Sequence, residues 1–302
     1  MTDEAIPRRA LVTGAAGFLG RHLVARLLDD GVDVHGVSRI PRAVPAEVRW
    51  HQSAFVDATE IDHLVRAVRP DVIFHLAGKV TSAFELDRVA PTFSSLLTST
   101  VHTLTSATKL GVTRIVLAGS FTEPDERGAA APSPYAAAKA CASLYARTFH
   151  ALYRTPVVVV RIFMAYGPGQ RPSQLVPHAI ASLLQKRAPL LSDGSYAADW
   201  IYVDDVVEGL LRAARRPTLC GQTVELGTGR LSTVREVAER IAALLDARIP
   251  LRFGDRPEGT HPVRPPAHVA ATRALLDWHP SITLDDGLGR TIAWLRQGLE
   301  AS

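Results

Sequence analysis

The sequence predicts an α/β protein built on a doubly wound parallel sheet, with a smaller C-terminal α/β domain for substrate. Three observations point there. Short apolar runs alternate with helical patterns through the first half, a glycine triplet separates the first run from the first helix, and Pro and Gly become frequent after Tyr166. The chain has 302 residues, 47% of them hydrophobic, which is enough to bury a sizeable core.

The elements follow in order. Residues 10–13, 34–37, 72–76, 114–118 and 157–162 are short aliphatic runs and read as strands; residues 19–30, 61–68 and 96–110 carry apolar positions three and four apart and read as helices. Strict alternation means βαβ units, hence parallel strands covered on both faces. Residues 200–213 are expected to form a helix and 222–227 a strand that return to the main sheet. The expected division is a dinucleotide-binding domain over 1–166, completed by about 200–227, and a substrate domain over 167–199 and 228–302.

Composition removes several classes. The net charge is +4, but Lys stands only at 79, 109, 139 and 186, and Arg supplies the other thirty of the 34 basic residues without forming a stripe. Nucleic acid is therefore not the expected partner, whereas an anionic small molecule is. No apolar run is long enough for a bilayer and no signal-peptide pattern opens the chain, so a cytoplasmic location is expected. Cys141 and Cys220 make neither a disulfide framework nor a metal spacing, and the eleven histidines show no ligand pattern, so no metal is expected.

The stretch "ALVTGAAGFLG" places Gly14, Gly17 and Gly20 between strand and helix, with Phe18 and Leu19 opening the helix. Glycines at this spacing let backbone N–H groups approach a pyrophosphate at the positive end of the helix, which makes the first domain Rossmann-type. The second strand then runs into Ser38 and Arg39, with Arg42 close behind, eighteen residues after Gly20 and with no carboxylate beside them. A carboxylate there would hold a free ribose 2′-hydroxyl; a hydroxyl and guanidinium groups suit a 2′-phosphate. The expected cofactor is NADP(H) in preference to NAD(H).

The chemistry is carried by "RIVLAGS" and "SPYAAAK". Ser120 ends a strand, and Tyr135 and Lys139 stand four apart on one helix face. An ammonium near a phenol favours the phenolate, so Tyr135 is expected to exchange a proton near neutral pH, with Ser120 hydrogen-bonding the oxygen on which charge develops.

With these motifs the chain resembles the extended short-chain dehydrogenase/reductases, in particular the NAD-dependent epimerase/dehydratase family that acts on nucleotide-activated sugars. "TGAAGFLG", "DVIFHLAG", "YAAAK", "VRIFMAYGPGQ" and "DWIYVDDVVEGLLRA" carry the likeness over nearly the whole chain. The resemblance implies that Lys139 also binds the nicotinamide ribose and that Leu76, Ala77 and Gly78 line the cofactor. It implies too that Val80, Thr122 and Arg264 meet the nucleotide sugar, and that the protein is a homodimer built from the helices around 96–110 and 135–152. The chain departs from the family pattern at Met164, where many members have Asn, at Ala198, where many have Arg, and at Ser53–Ala54 in place of Gly-Asp. Dehydratases place acids immediately after the position of Ser120; here Phe121 and Thr122 follow and Glu123 comes one place late, which argues against dehydration.

Ser38 and Arg39 favour net reduction over an internal redox cycle. The first expectation is therefore an NADPH-dependent ketoreductase acting on a nucleotide-linked 4-keto-6-deoxyhexose, with Tyr135 as proton donor. The alternatives are an NAD(P)-dependent nucleotide-sugar 4-epimerase and a catalytically inactive cofactor-sensing protein.

Overall fold

The computed structural model describes residues 7–40, 45–79, 85–124, 130–254 and 263–300. In chain order the first part runs β1 (Arg9–Thr13), α1 (Phe18–Asp29), β2 (Asp33–Ser38), β3 (Arg49–Gln52), α2 (Ala58–Val68), β4 (Val72–His75), α3 (Val89–Phe93), α4 (Ser99–Leu110), β5 (Arg114–Ser120), α5 (Pro134–Tyr153) and β6 (Val157–Ile162). There follow β7 (Met164–Tyr166), α6 (Leu175–Leu184), β8 (Leu190–Leu191), β9 (Ala197–Tyr202), α7 (Val203–Ala214), β10 (Thr223–Leu226), β11 (Leu231–Thr233), α8 (Val234–Leu244), β12 (Arg252–Phe253), α9 (Val269–Leu276) and α10 (Leu284–Glu300).

Seven strands form the main sheet in the order β10-β6-β5-β4-β1-β2-β3. The pairs β1–β2, β1–β4, β2–β3, β4–β5 and β5–β6 are all parallel. Chain order reverses at β1, so right-handed crossovers place α1 on the opposite face from α2, α4 and α5, and leave a crevice at the carboxyl ends of β1 and β4. On the face of α2, α4 and α5 one buried cluster joins Leu11, Val37, Ile73, Ile115 and Val159 of the strands to Ile61, Val65, Leu104 and Ala146 of the helices. α1 buries Leu23, Val24 and Leu27 and pairs its Arg26 and Asp30 with Glu208 and Arg215, at 3.2 Å each.

The contacts divide the chain into two compact units: residues 1–162, 207–225 and 274–278 form the first, and 163–206, 226–273 and 279–302 the second. The second unit holds a three-stranded sheet, β11-β9-β7, and a two-stranded one, β12-β8. Its hub is Asp199, 2% exposed, whose carboxylate accepts from Thr228 N and Thr228 Oγ1 at 2.6 Å, Gly229 N at 2.8 Å and Ala267 N at 3.0 Å. A buried carboxylate is tolerated when its lone pairs are all met in this way.

Several elements differ from the sequence expectation. Residues 200–202 are strand, not helix: β9 pairs parallel with β7 and antiparallel with β11 in the smaller sheet, and the helix starts only at Val203, with Asp204 and Asp205 in its first turn. Long-range pairing overrides the local periodicity. β3, "RWHQ", was not expected, since a short polar edge strand shows no apolar alternation. The helix expected over 96–110 starts earlier, as α3, and reaches α4 through a π-helical turn at Ser94–Thr98.

Candidate active site

The expected cofactor residues lie at the carboxyl ends of β1, β2 and β4. The turn after β1 is held by Gly17 N donating to Gly14 O at 2.9 Å, and by Ala15 N donating to Val37 O at 3.2 Å. Gly14 has φ +68°, and a side chain there would bring Cβ to 2.9 Å from Leu76 O. At Gly20 the added Cβ would stand 2.2 Å from Gly14 O, so the helix can approach the turn only without one. α1 begins at Phe18 with Gly17 as its N-cap, no side-chain cap and no acid in the first turn, which leaves the N–H groups of the helix start for an anion. This cradle fits a dinucleotide pyrophosphate.

The floor beside it is fixed by a chain of polar groups that sequence reasoning did not single out. Ala77 N donates to Thr13 Oγ1 at 3.1 Å, Thr13 Oγ1 meets His75 Nδ1 at 3.0 Å, and His75 Nε2 meets Ser99 Oγ at 3.4 Å. Burial, followed by the nearby Lys139 charge, lowers His75 to about 3, so the imidazole is neutral and serves as a hydrogen-bond bridge. The relay sets the backbone of Leu76, Ala77 and Gly78. Its only trace in the sequence is a polar residue ending each of two apolar strands.

At the end of β2 the arrangement is not the one expected. Ser38 Oγ donates to Ile40 O at 3.0 Å and takes a bond from Ile40 N at 3.4 Å, so the hydroxyl is folded onto its own turn. Arg39 is exposed, with its carbonyl taking a 3.2 Å bond from Gln52 Nε2. Arg42 and Val80 lie outside the described residues.

The expected catalytic residues do come together. Ser133 caps α5 by accepting from Ala136 N at 3.1 Å, and Pro134 opens the helix, so Tyr135 sits in the first turn and Lys139 one turn on. The side chains of Ser120 and Tyr135 are hydrogen-bonded. Ser120 Oγ also lies 2.8 Å from Thr122 Oγ1 and accepts from Thr122 N at 3.2 Å. Lys139 Nζ is buried and donates to Ala118 O at 2.6 Å.

The titration of this group corrects one expectation. Burial pushes the Tyr135 phenol up to about 12; the Ser120 hydrogen bond opposes it and Glu123 adds to it. Burial likewise pulls Lys139 down to about 8, with Glu123 opposing. Burial outweighs the Ser120 hydrogen bond, so the protein's own groups do not bring the phenol toward neutral.

Glu123, which the sequence suggested only as a misplaced acid, is buried behind Ser120. It accepts from Ser120 N at 2.7 Å and lies 3.4 Å from Arg161 Nε. Arg264 stands in the second unit, half-buried, where its charge acts against the burial that raises Tyr196. Among the described residues no helix is long and apolar enough to cross a membrane, and no group of three His, Cys, Asp or Glu could hold a metal ion.

Known proteins resemble the chain along its whole length. UDP-glucose 4-epimerase of Mycolicibacterium smegmatis is 30% identical over 318 residues, covering 95% of this chain and 98% of that protein. dTDP-glucose 4,6-dehydratase of Neisseria gonorrhoeae is 27% identical, covering 95% of each. The solved structure of MoeE5 in complex with UDP-glucose and NAD superposes with a TM-score of 0.85 at 28% identity, covering 96% of this chain and 99% of that one. The family model of the NAD dependent epimerase/dehydratase family matches residues 10–227. With the glycine cradle, the strand-end serine and the Tyr-Lys helix in place, the chain belongs to the NAD-dependent epimerase/dehydratase family.

Proposed function

We propose that the chain is a nucleotide-sugar 4-epimerase, acting on a nucleoside-diphosphate hexose with a nicotinamide dinucleotide in the glycine cradle. One observation carries the reading. Among the described residues, the polar groups gathered at the end of β5 are hydroxyls and an ammonium, Ser120, Thr122, Tyr135 and Lys139, while the carboxylate of Glu123 is turned back to Ser120 N and Arg161. Elimination of water from a sugar needs an acid and a base beside the serine. Moving one proton at a sugar hydroxyl needs only the phenol and its hydrogen-bonded serine.

In this reading Tyr135 Oη takes the proton of the sugar 4-hydroxyl and returns it after inversion. Ser120 Oγ holds the same oxygen, and Lys139 positions the ribose and supplies positive charge. When bound, the dinucleotide supplies a reversible hydride acceptor and donor. Gly14, Gly17 and Gly20 with the N–H groups of Phe18 and Leu19 hold its pyrophosphate, and Leu76–Gly78 line it. Thr122, beside Ser120 Oγ in the first unit, is proposed to meet the sugar; Arg264, in the second unit, is proposed as a residue for a sugar-nucleotide diphosphate.

This reading displaces the ketoreductase as first choice. That expectation leaned on Ser38 as a phosphate donor, and its hydroxyl is engaged with Ile40; the likeness to UDP-glucose 4-epimerase over 95% of the chain supports the epimerase. Net reduction with NADPH stays as the second reading for one reason: no carboxylate ends β2, and Arg39 is exposed there. The two differ in cofactor fate, so incubation with a UDP-hexose without added nicotinamide separates them. Arg39→Ala tests the 2′-phosphate directly. By titration calorimetry it should weaken NADP(H) by about tenfold or more and NAD(H) little, as befits loss of one charge-assisted contact. Equal weakening of both would remove Arg39 from the question.

The homodimer also belongs to the proposal. Leu144, Tyr145, Leu152 and Tyr153 of α5 and Phe93 of α3, which lies against α5, are large apolar side chains left exposed. A second copy of the same face would cover them. Leu144→Glu should convert a dimer to a monomer in light scattering; a monomeric parent protein would contradict this. The two unpaired cysteines suit a reducing compartment, in keeping with the cytoplasm.

A further inference from the structure

We propose that Glu123 is a positioning residue of this site: a buried carboxylate that fixes the Ser120 turn from behind and sets the charge felt by Lys139 and Tyr135, without meeting substrate. The proposal rests on reading Ser120, Tyr135 and Lys139 as the catalytic group.

The seat of Glu123 is built for a carboxylate. Its side chain is 1% exposed. The turn after β5 is closed in both directions, by Glu123 N donating to Ser120 O at 3.1 Å and by Ser120 N donating to Glu123 Oε1 at 2.7 Å. The oxygen fits there because the neighbouring residue is Gly119, where a Cβ would stand 2.8 Å from Glu123 Oε1. On the far side Arg161 Nε lies 3.4 Å from Oε2, and Arg161 Nη1 lies 3.9 Å from Glu225 Oε1. An ionised carboxylate stays in an interior only when paired and hydrogen-bonded, and both conditions are met.

Glu123 therefore does two things for the site. It places Ser120, since the serine's own N–H hangs on its carboxylate. It also puts a negative charge beside the strand end on which Lys139 donates to Ala118 O. Among the described residues, the other groups facing this region are Arg161 of β6, Glu225 of β10, the neutral His75 of β4, and Tyr135 and Lys139 of α5. Toward both α5 groups Glu123 acts in the same sense, keeping the proton on. Removing its charge should lower both.

The lysine is the accessible probe, because the chain has four and burial brings Lys139 to about 8. In full-length protein carrying 13C,15N-lysine, the amine signals are followed across roughly pH 6 to 10, with Lys139→Met assigning the signal. Glu123→Gln keeps the size and an acceptor but loses the charge. The Lys139 midpoint should fall by about one unit, with Lys79, Lys109 and Lys186 unmoved, and kcat should drop about tenfold with its acid limb moved to lower pH. Glu123→Asp keeps the charge on a shorter arm, so kcat should fall while the Lys139 midpoint holds. Should Glu123→Gln fail to fold, Gly119→Ala displaces the carboxylate instead and should also lower the midpoint. An unmoved Lys139 midpoint in Glu123→Gln or Gly119→Ala, or the same fall in Glu123→Asp, overturns the proposal. The titration contains no sugar, so it stands or falls apart from the epimerase reading.

Discussion

Tyr135→Phe is expected to cut turnover by about 10²-fold to 10⁴-fold while cofactor binding and folding are kept, because it removes the one acid-base group at the sugar oxygen and leaves the ring. The ring is half-buried at the start of α5, where phenylalanine packs as well, so a stability loss cannot imitate the effect. The hydrogen bond to Ser120 is lost with the hydroxyl. Burial raises the phenol to about 12, which disfavours a standing phenolate. Steady-state kinetics with a parallel measurement of bound nicotinamide checks the prediction. Turnover near that of the parent protein would mean that another group moves the proton.

Gly20→Ala is expected to abolish dinucleotide binding, with a loss of at least about 10²-fold in affinity and a destabilisation of about 1–3 kcal/mol. The new Cβ would stand 2.2 Å from Gly14 O and 2.8 Å from Ala15 Cα, both backbone atoms, so the start of α1 and the turn must separate. These are the parts whose N–H groups make the anion cradle. Gly289→Ala is the control, since a Cβ there meets nothing within 4 Å. Fluorescence titration with NAD(H) and NADP(H), beside thermal unfolding, reads both effects; normal binding by Gly20→Ala would mean that the cradle is not where the pyrophosphate sits.

How much was legible in the sequence depended on whether the signal was local. β1, the glycine turn and α1 were legible because the turn's sterics dictate the residues, and Tyr135 and Lys139 because four residues make one helical turn. Residues 200–202 were misread because "DWIY" precedes a strongly amphipathic helix, and only pairing with β7 and β11 makes it a strand. β3 was missed because an edge strand of Arg, Trp, His and Gln carries no period. The site was legible in its reacting groups and illegible in what holds them. His75, Thr13 and Ser99 meet across 24 to 62 residues of chain, and the room for Glu123 depends on a neighbouring glycine that looks unremarkable in "LAGS". Ser38 shows the converse: the right residue at the right spacing, with its hydroxyl bonded to the chain two residues on.

The central claim is that the chain inverts C4 of a nucleotide sugar with no net change of cofactor. The direct measurement incubates purified protein with UDP-glucose carrying deuterium at C4, without added nicotinamide, and follows the sugar by NMR. The account predicts UDP-galactose that retains deuterium at C4, with the nicotinamide content of the protein unchanged over many turnovers. A C4-epimer that has lost the label would contradict it, and so would a protein that leaves UDP-hexoses untouched yet oxidises one NADPH for each 4-keto sugar it consumes.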